Sequence, residues 1–139
     1  MKLCLAANKY KRRWYLDSGC SRHMTGDTNQ FFALERKEGG VVTFGNNGKG
    51  KIIGTGKIQI TPSTFIDQVL LVDKLKHNLL SISQLCDKGF KVSFEASLCI
   101  VTNPFVDSIV FIGHRQDNVY IINLDDICIN GYCFVATND

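Results

Sequence analysis

The sequence predicts a mainly β, small barrel-like domain with one short helix at about residues 79–88. Most of the chain consists of short runs rich in β-branched residues, and glycine-containing turns separate them. Only one segment has apolar residues at helical spacing. A chain of 139 residues suits a single domain, and its 45% hydrophobic and 21% charged content excludes the disordered class.

The first predicted strand ends at a carboxylate. An apolar triplet, residues 14–16, precedes Asp17, which leads directly into Ser18-Gly19. Such a turn can hold an acid at the floor of a cleft, but it is also an ordinary way to end a strand. Taken alone, the tripeptide favours the ordinary turn.

A hairpin follows in the middle of the chain. Residues 41–44 read as a strand, 45–50 as a turn, and 51–53 and 57–60 as returning strands separated by Gly54-Thr55-Gly56. The dipeptide Asn47-Gly48 tolerates the positive φ of a tight hairpin. Residues 65–72 are a further strand candidate.

The predicted helix is the one break in the β pattern. Apolar residues recur at positions 79, 82, 85 and 86. Asn78 or Ser81 is a candidate N-cap, and Gly89 is placed to end the helix. Strands are then predicted over residues 91–95, 98–102, 108–112 and 118–124, and residues 125–139 are predicted to be a weakly specified tail.

Composition limits the classes of partner. A net charge of +3 is too small to indicate nucleic acid binding, and a solvated linker is the favoured interpretation of the basic cluster at residues 9–13. No apolar run approaches the ~18 residues of a membrane span, and the N-terminal residues make a poor signal peptide. We therefore expect a soluble, cytoplasmic protein without membrane contact.

Six cysteines form no CxxC pair, and Cys20-x-x-His23 has no second pair at finger-like spacing. Buried free thiols are the favoured interpretation. No metal and no cofactor is expected.

An aspartate can hydrolyse a peptide bond when a second carboxylate shares one proton with it. The ionised member activates water and the protonated one polarises the substrate carbonyl, so the two titrate as a unit. Asp107-Ser108 and Asp73-Lys74 do not repeat the D-S-G tripeptide. A pair therefore arises only if two chains meet on a two-fold axis and each supplies Asp17.

Three blocks in order resemble the protease region of copia-type retrotransposon polyproteins: WYLDSGCSRHMTGD, VTFGNNGKGKIIGTGKI and VLLVDKLKHNLLSISQLCDKGFKVSF. They cover roughly residues 12–95, and the later stretch NVYIINLDD resembles the start of the spacer before integrase. The chain lacks the zinc-knuckle region expected upstream and any integrase or reverse transcriptase, so a polyprotein fragment is expected.

The resemblance implies a retropepsin-like aspartic protease: a homodimeric β-barrel that cuts its own polyprotein or a peptide substrate. Asp17 would be the catalytic acid, Ser18 would brace the pair across the dimer, and Gly19 would permit close approach. A flap would close over the substrate. Its candidate residues are Gly45, Asn46, Asn47, Gly48, Gly50 and Gly54.

The predicted domain plan is a linker over residues 1–13, the barrel over 14–115, and a spacer or tail over 116–139. The alternative function is a truncated, non-catalytic barrel remnant that acts at most as an interaction module. For His23 a structural role is favoured over tuning of the cleft, and for Cys20 an apolar filler is favoured over a redox thiol. The role of His77 stays open.

Overall fold

A computed structural model describes residues 12–44, 48–105 and 108–125, together with the backbone of 127–129 and 132–134. It confirms a mainly β domain with one short helix. The strands are β1 (Arg13–Asp17), β2 (Met24–Thr25), β3 (Ala33–Arg36), β4 (Val41–Phe44), β5 (Gly48–Thr61), β6 (Thr64–Val72), β7 (Asn78–Ser81), β8 (Lys91–Phe94), β9 (Leu98–Asn103), β10 (Ser108–Gln116), β11 (Val119–Asn123), β12 (Ile127–Ile129) and β13 (Tyr132–Phe134). The helix α1 spans Ile82–Asp87, and a 3₁₀ turn spans Thr28–Gln30.

The main sheet has the order β3-β5-β6-β2-β7-β1-β11-β10-β9-β8, and β4 pairs with β5 beside it. Strand β1 lies near the middle, parallel to β7 on one side and antiparallel to β11 on the other. The strand that ends at Asp17 is thus paired along both edges. This position fixes where its last residue points.

The helix is shorter than predicted. Residues 79–81 belong to strand β7, and the helix begins at Ile82. The reason is tertiary pairing: Leu79 and Leu80 pair with Tyr15 and Leu16 of β1, and this ladder outweighs the helical spacing of the leucines. Ser81 is the N-cap, and Gly89, at φ +95°, follows the C-cap, as two of the predicted signals indicated.

Strand β5 is one long strand where two were predicted. It runs through Gly54-Thr55-Gly56 and pairs with β6, with irregular register between Ile52 and Gly54 and again between Gly56 and Ile58. Glycines mark close backbone approach here, because a Cβ on Gly56 would lie 2.1 Å from the Ala33 carbonyl oxygen. The short strands β2 and β3 and the 3₁₀ turn were not predicted.

The sheet continues past residue 115. Strand β11, which lies in the segment predicted as a spacer or tail, pairs with both β1 and β10. One hydrophobic core joins the two parts of the chain: Trp14, Leu80 and Leu85 are buried in the same cluster as Val101 and Ile122. The meander β8–β11 is therefore packed against the barrel strands as part of one fold.

A second, smaller cluster contains Cys20, Met24, Leu70 and Val72. It lies beneath the β4–β5 hairpin, whose Val42 and Phe44 pack against it. Among the described helices, none has the length and apolar character that crossing a membrane requires.

Candidate active site

Asp17 is the last residue of β1, and its side chain is half-buried at the start of an exposed turn. The backbone N–H of Gly19 donates a hydrogen bond of 2.7 Å to Asp17 Oδ1. A Cβ on residue 19 would lie 3.2 Å from that same oxygen, so a side chain there would crowd the carboxylate. The D-S-G turn therefore holds one carboxylate oxygen in place and leaves the other available.

Strand β7 anchors the turn from the side. Asp17 is in parallel register with Ser81, the buried first residue after the Leu79-Leu80 pair. Ser81 Oγ donates to the Cys20 carbonyl oxygen at 2.8 Å and accepts from the Gln84 N–H at 3.1 Å. One hydroxyl thus joins the loop after Asp17 to the N-terminus of α1.

His23 provides the second anchor. The ring Nδ1 of His23 accepts a 2.9 Å hydrogen bond from the Ser81 backbone N–H. The backbone N–H of His23 donates to Gln84 Oε1 at 2.7 Å. The side chain is 1% exposed. Burial, and secondarily the positive charge of Arg22, lowers the pKa of His23 to about 4, so the ring is neutral at pH 7. These contacts support the structural role.

Cys20 is a buried thiol. Burial, followed by the neighbouring Asp17 carboxylate, raises the pKa of Cys20 to about 11. Its Sγ lies 3.7 Å from the Asp17 carbonyl oxygen. A thiol this far from ionisation is a poor nucleophile and a poor target for oxidation, which supports the apolar-filler interpretation.

The β4–β5 hairpin contains part of the predicted flap. Its arms pair from Val41↔Lys51 to Phe44↔Gly48, and Gly50 lies opposite Val42. Phe44 of the hairpin and Leu79 of β7 both pack against the cluster that contains Cys20. Hairpin, D-S-G turn and β7 therefore share one small core.

The predicted flap residues fall in three places. Gly48 and Gly50 lie in the hairpin arm. Gly54 lies further along β5, in the segment that pairs with Arg36 of β3 and Leu71 of β6. The other three predicted flap residues, Gly45, Asn46 and Asn47, lie outside the described residues.

Asp17 and Ser18 line an open cavity of about 490 Å³. The other lining residues are Tyr15, Leu16, His77, Leu79, Asn118 and Val119. Within the described part of the chain, Asp17 is the one carboxylate among them. One chain therefore contributes a single carboxylate to the described lining of this cavity.

Asn118 and Val119 are cavity residues that sequence reasoning missed. They lie about a hundred positions after Asp17 and belong to the strand predicted over 118–124. Only the antiparallel pairing of β11 with β1 brings them to the cavity. No local signal could have revealed that contact.

The basic cluster is partly engaged within the fold. Arg12 Nη2 donates to the Gln59 carbonyl oxygen at 2.7 Å, and Arg13 Nη2 donates to Gln116 Oε1 at 2.6 Å. Lys9 and Lys11 lie outside the described residues. Two of the four cations predicted to form a solvated linker therefore contact the sheet instead.

A family model described as the Pol polyprotein, beta-barrel domain matches residues 14–90. The matched range runs from β1 through α1, and it contains the D-S-G turn, the hairpin and Ser81. Strands β8–β11 lie beyond it. No curated protein and no solved structure matches the chain.

Proposed function

The chain belongs to the family of Pol polyprotein β-barrel domains, and we propose that it is an aspartic endopeptidase of a copia-type retrotransposon polyprotein, active as a homodimer. The observation that carries the proposal is the half-buried Asp17, with one oxygen bound by the Gly19 N–H, at the wall of an open cavity. The three ordered sequence blocks that contain the D-S-G turn support the same assignment.

The proposed chemistry needs two copies of Asp17. When two like charges lie a few ångströms apart they do not both ionise, so the pair holds one proton over mildly acidic pH. The ionised member takes a proton from a water molecule, which attacks the scissile carbonyl carbon. The protonated member donates a hydrogen bond to the carbonyl oxygen. Ser18, which is exposed next to Asp17, would contact the partner chain across the two-fold axis.

The β4–β5 hairpin is the proposed flap. Its inner face packs near the D-S-G turn through Val42 and Phe44, and closure over a peptide would exclude water from the reacting groups. The substrate is an extended segment of the polyprotein. The hairpin and the Asp17 cavity would hold it from opposite sides.

The test is cleavage of a polyprotein peptide at mildly acidic pH and high protein concentration. Asp17→Asn keeps the size of the side chain and the acceptor for Gly19, but it removes the ionisable group. We expect a loss of at least about 10³-fold in kcat/KM, because none of the other described lining residues is a carboxylate that could replace Asp17. Asp67→Asn is the matched control, since Asp67 is exposed on β6 and does not line this cavity. Equal cleavage by wild type and Asp17→Asn would overturn the proposal.

A second candidate function is a non-catalytic barrel that serves as an interaction module. The single carboxylate in the described cavity favours it if the chain stays monomeric, because one Asp17 cannot form a dyad. Sedimentation at high protein concentration separates the two functions. A strictly monomeric, folded chain that cuts no peptide is the outcome that the second candidate predicts.

A further inference from the structure

The cavity beside Asp17 has a wall that comes from outside the region matched by the family model. Two walls belong to β1 with its turn and to the segment that begins β7. The third is made by Asn118 and Val119, at the turn between β10 and β11. Val119, the first residue of β11, remains 40% exposed and presents an apolar side chain to this open space.

The turn is braced from within the meander. Asp117 has φ +57°, as a tight two-residue connection requires, and Gln116 pairs with Val119 across it. Arg115 Nε donates to the Asp117 carbonyl oxygen at 3.0 Å, and its Nη1 donates to the Ala96 carbonyl oxygen at 3.3 Å. These bonds to carbonyl groups hold the turn in one conformation.

A second brace joins the turn to β1. Arg13 Nη2 donates to Gln116 Oε1 at 2.6 Å, and the Arg13 guanidinium carbon lies 5.8 Å from the centre of the Tyr15 ring. Tyr15 in turn contacts the His77 ring edge-to-face, with 5.3 Å between centroids. The three walls are thus connected by side-chain contacts.

We propose that the β10–β11 turn forms a substrate-binding wall beside Asp17, and that Val119 selects the size of an aliphatic side chain of the peptide next to the scissile bond. The inference rests on the proposed protease function. Four lining residues offer apolar surface to that side chain: Tyr15, Leu16, Leu79 and Val119. The Asn118 amide carries both a donor and an acceptor for the backbone of the peptide.

The test uses two peptides that differ only in having leucine or alanine beside the scissile bond. Val119→Phe fills part of the cavity, so we expect the leucine-to-alanine ratio of kcat/KM to fall by about ten-fold. Val119→Ala enlarges the cavity, so both peptides lose contacts and the leucine peptide loses more. Phe105→Ala is the control, because Phe105 is 85% exposed and does not line the cavity, and its ratio should equal that of wild type. Urea unfolding of each variant checks that the fold is retained.

Peptide binding by Asp17→Asn, with and without the Val119 substitutions, separates this inference from the proposed function. If wild type cuts the peptides but both Val119 variants keep the wild-type leucine-to-alanine ratio of kcat/KM, the substrate-binding role of the β10–β11 turn is contradicted and the protease proposal is not. If wild type cuts neither peptide but the Val119 substitutions shift the relative affinity for the leucine and alanine peptides as expected, the protease proposal is contradicted. The β10–β11 turn is then a peptide-binding site without catalysis. If no peptide is cut or bound, both the protease proposal and the substrate-binding wall are contradicted. If the Val119 substitutions change only dimerisation, the substrate-binding role is also contradicted, because Val119 would then lie at a contact between copies.

Discussion

Asp17 depends on its immediate neighbours for position and on distant residues for rigidity. The local part was predictable: a strand that ends at Asp17 and turns through Ser18-Gly19 is readable from consecutive residues. The distant part was not, because His23 and Ser81 meet across 58 positions and Cys20 and Ser81 across 61. Such contacts arise from the parallel pairing of β1 and β7, which leaves no mark in either segment alone.

The buried imidazole of His23 makes the fold sensitive to acid. The pKa of His23 is about 4 in the folded chain against 6.5 for an unconstrained histidine, so the unfolded chain binds the proton more readily. The contribution of the neutral His23 ring to the free energy of unfolding is complete above pH 6.5 and is lost as the pH falls towards 4. The expected loss is about 3 kcal/mol, from roughly 1.4 kcal/mol per pKa unit.

Urea unfolding between pH 7 and pH 4 measures this effect. In His23→Asn the amide oxygen can still accept from the Ser81 N–H, but the group no longer titrates, so the dependence on pH should become clearly shallower. His114→Asn makes the same substitution at an exposed histidine and is the control for the exchange itself. A His23→Asn slope equal to that of wild type would show that another group causes the acid sensitivity.

At the scale of the elements, Ser81 joins the turn, strand β7 and helix α1. It ends the strand, caps the helix through Gln84, and binds the Cys20 carbonyl group. Sequence reasoning identified Ser81 as one of two candidate caps, yet placed the start of the helix at residue 79. The misplaced boundary has a physical cause: Leu79 and Leu80 satisfy both a helical spacing and a buried strand, and only the partner strand decides between them.

Ser81→Ala should destabilise the fold by about 2–3 kcal/mol, because it removes the cap and leaves the buried Cys20 carbonyl group without this donor. Cleavage should fall as well, since the loop after Asp17 loses its anchor. Ser83→Ala is the matched control on the same helix: Ser83 is exposed, and its hydroxyl contacts Ser81 Oγ at 3.1 Å. Chemical denaturation gives the free energy of unfolding of both variants. Equal destabilisation by the two substitutions would contradict the role assigned to Ser81.

At the scale of the whole molecule, the fold class was predictable and the order of strands was not. Alternating apolar residues and glycine turns indicated a β domain, and the structure confirms it. The pairing of β11 with β1 depends on a contact between residues such as Trp14 and Ile122, both fully buried in one core. Because of this pairing, the meander after residue 90 contributes to the candidate site.

The proposed protease requires two chains, each of which supplies Asp17 to one shared site. Among the described residues of one chain, Asp17 is the one carboxylate that lines the cavity. Chemistry of the aspartic protease type therefore requires a second copy. If subunits exchange freely, a dimer that contains one Asp17→Asn chain has no functional pair.

The most direct measurement is therefore a mixing experiment. Wild type and Asp17→Asn are combined at constant total concentration, high enough to favour dimers, and peptide cleavage is followed as the mutant fraction rises. With random pairing, an equal mixture should retain about a quarter of the wild-type rate, because only homodimers of wild type are active. A rate of about one half, falling linearly with the mutant fraction, would contradict the shared site and show that each chain acts alone.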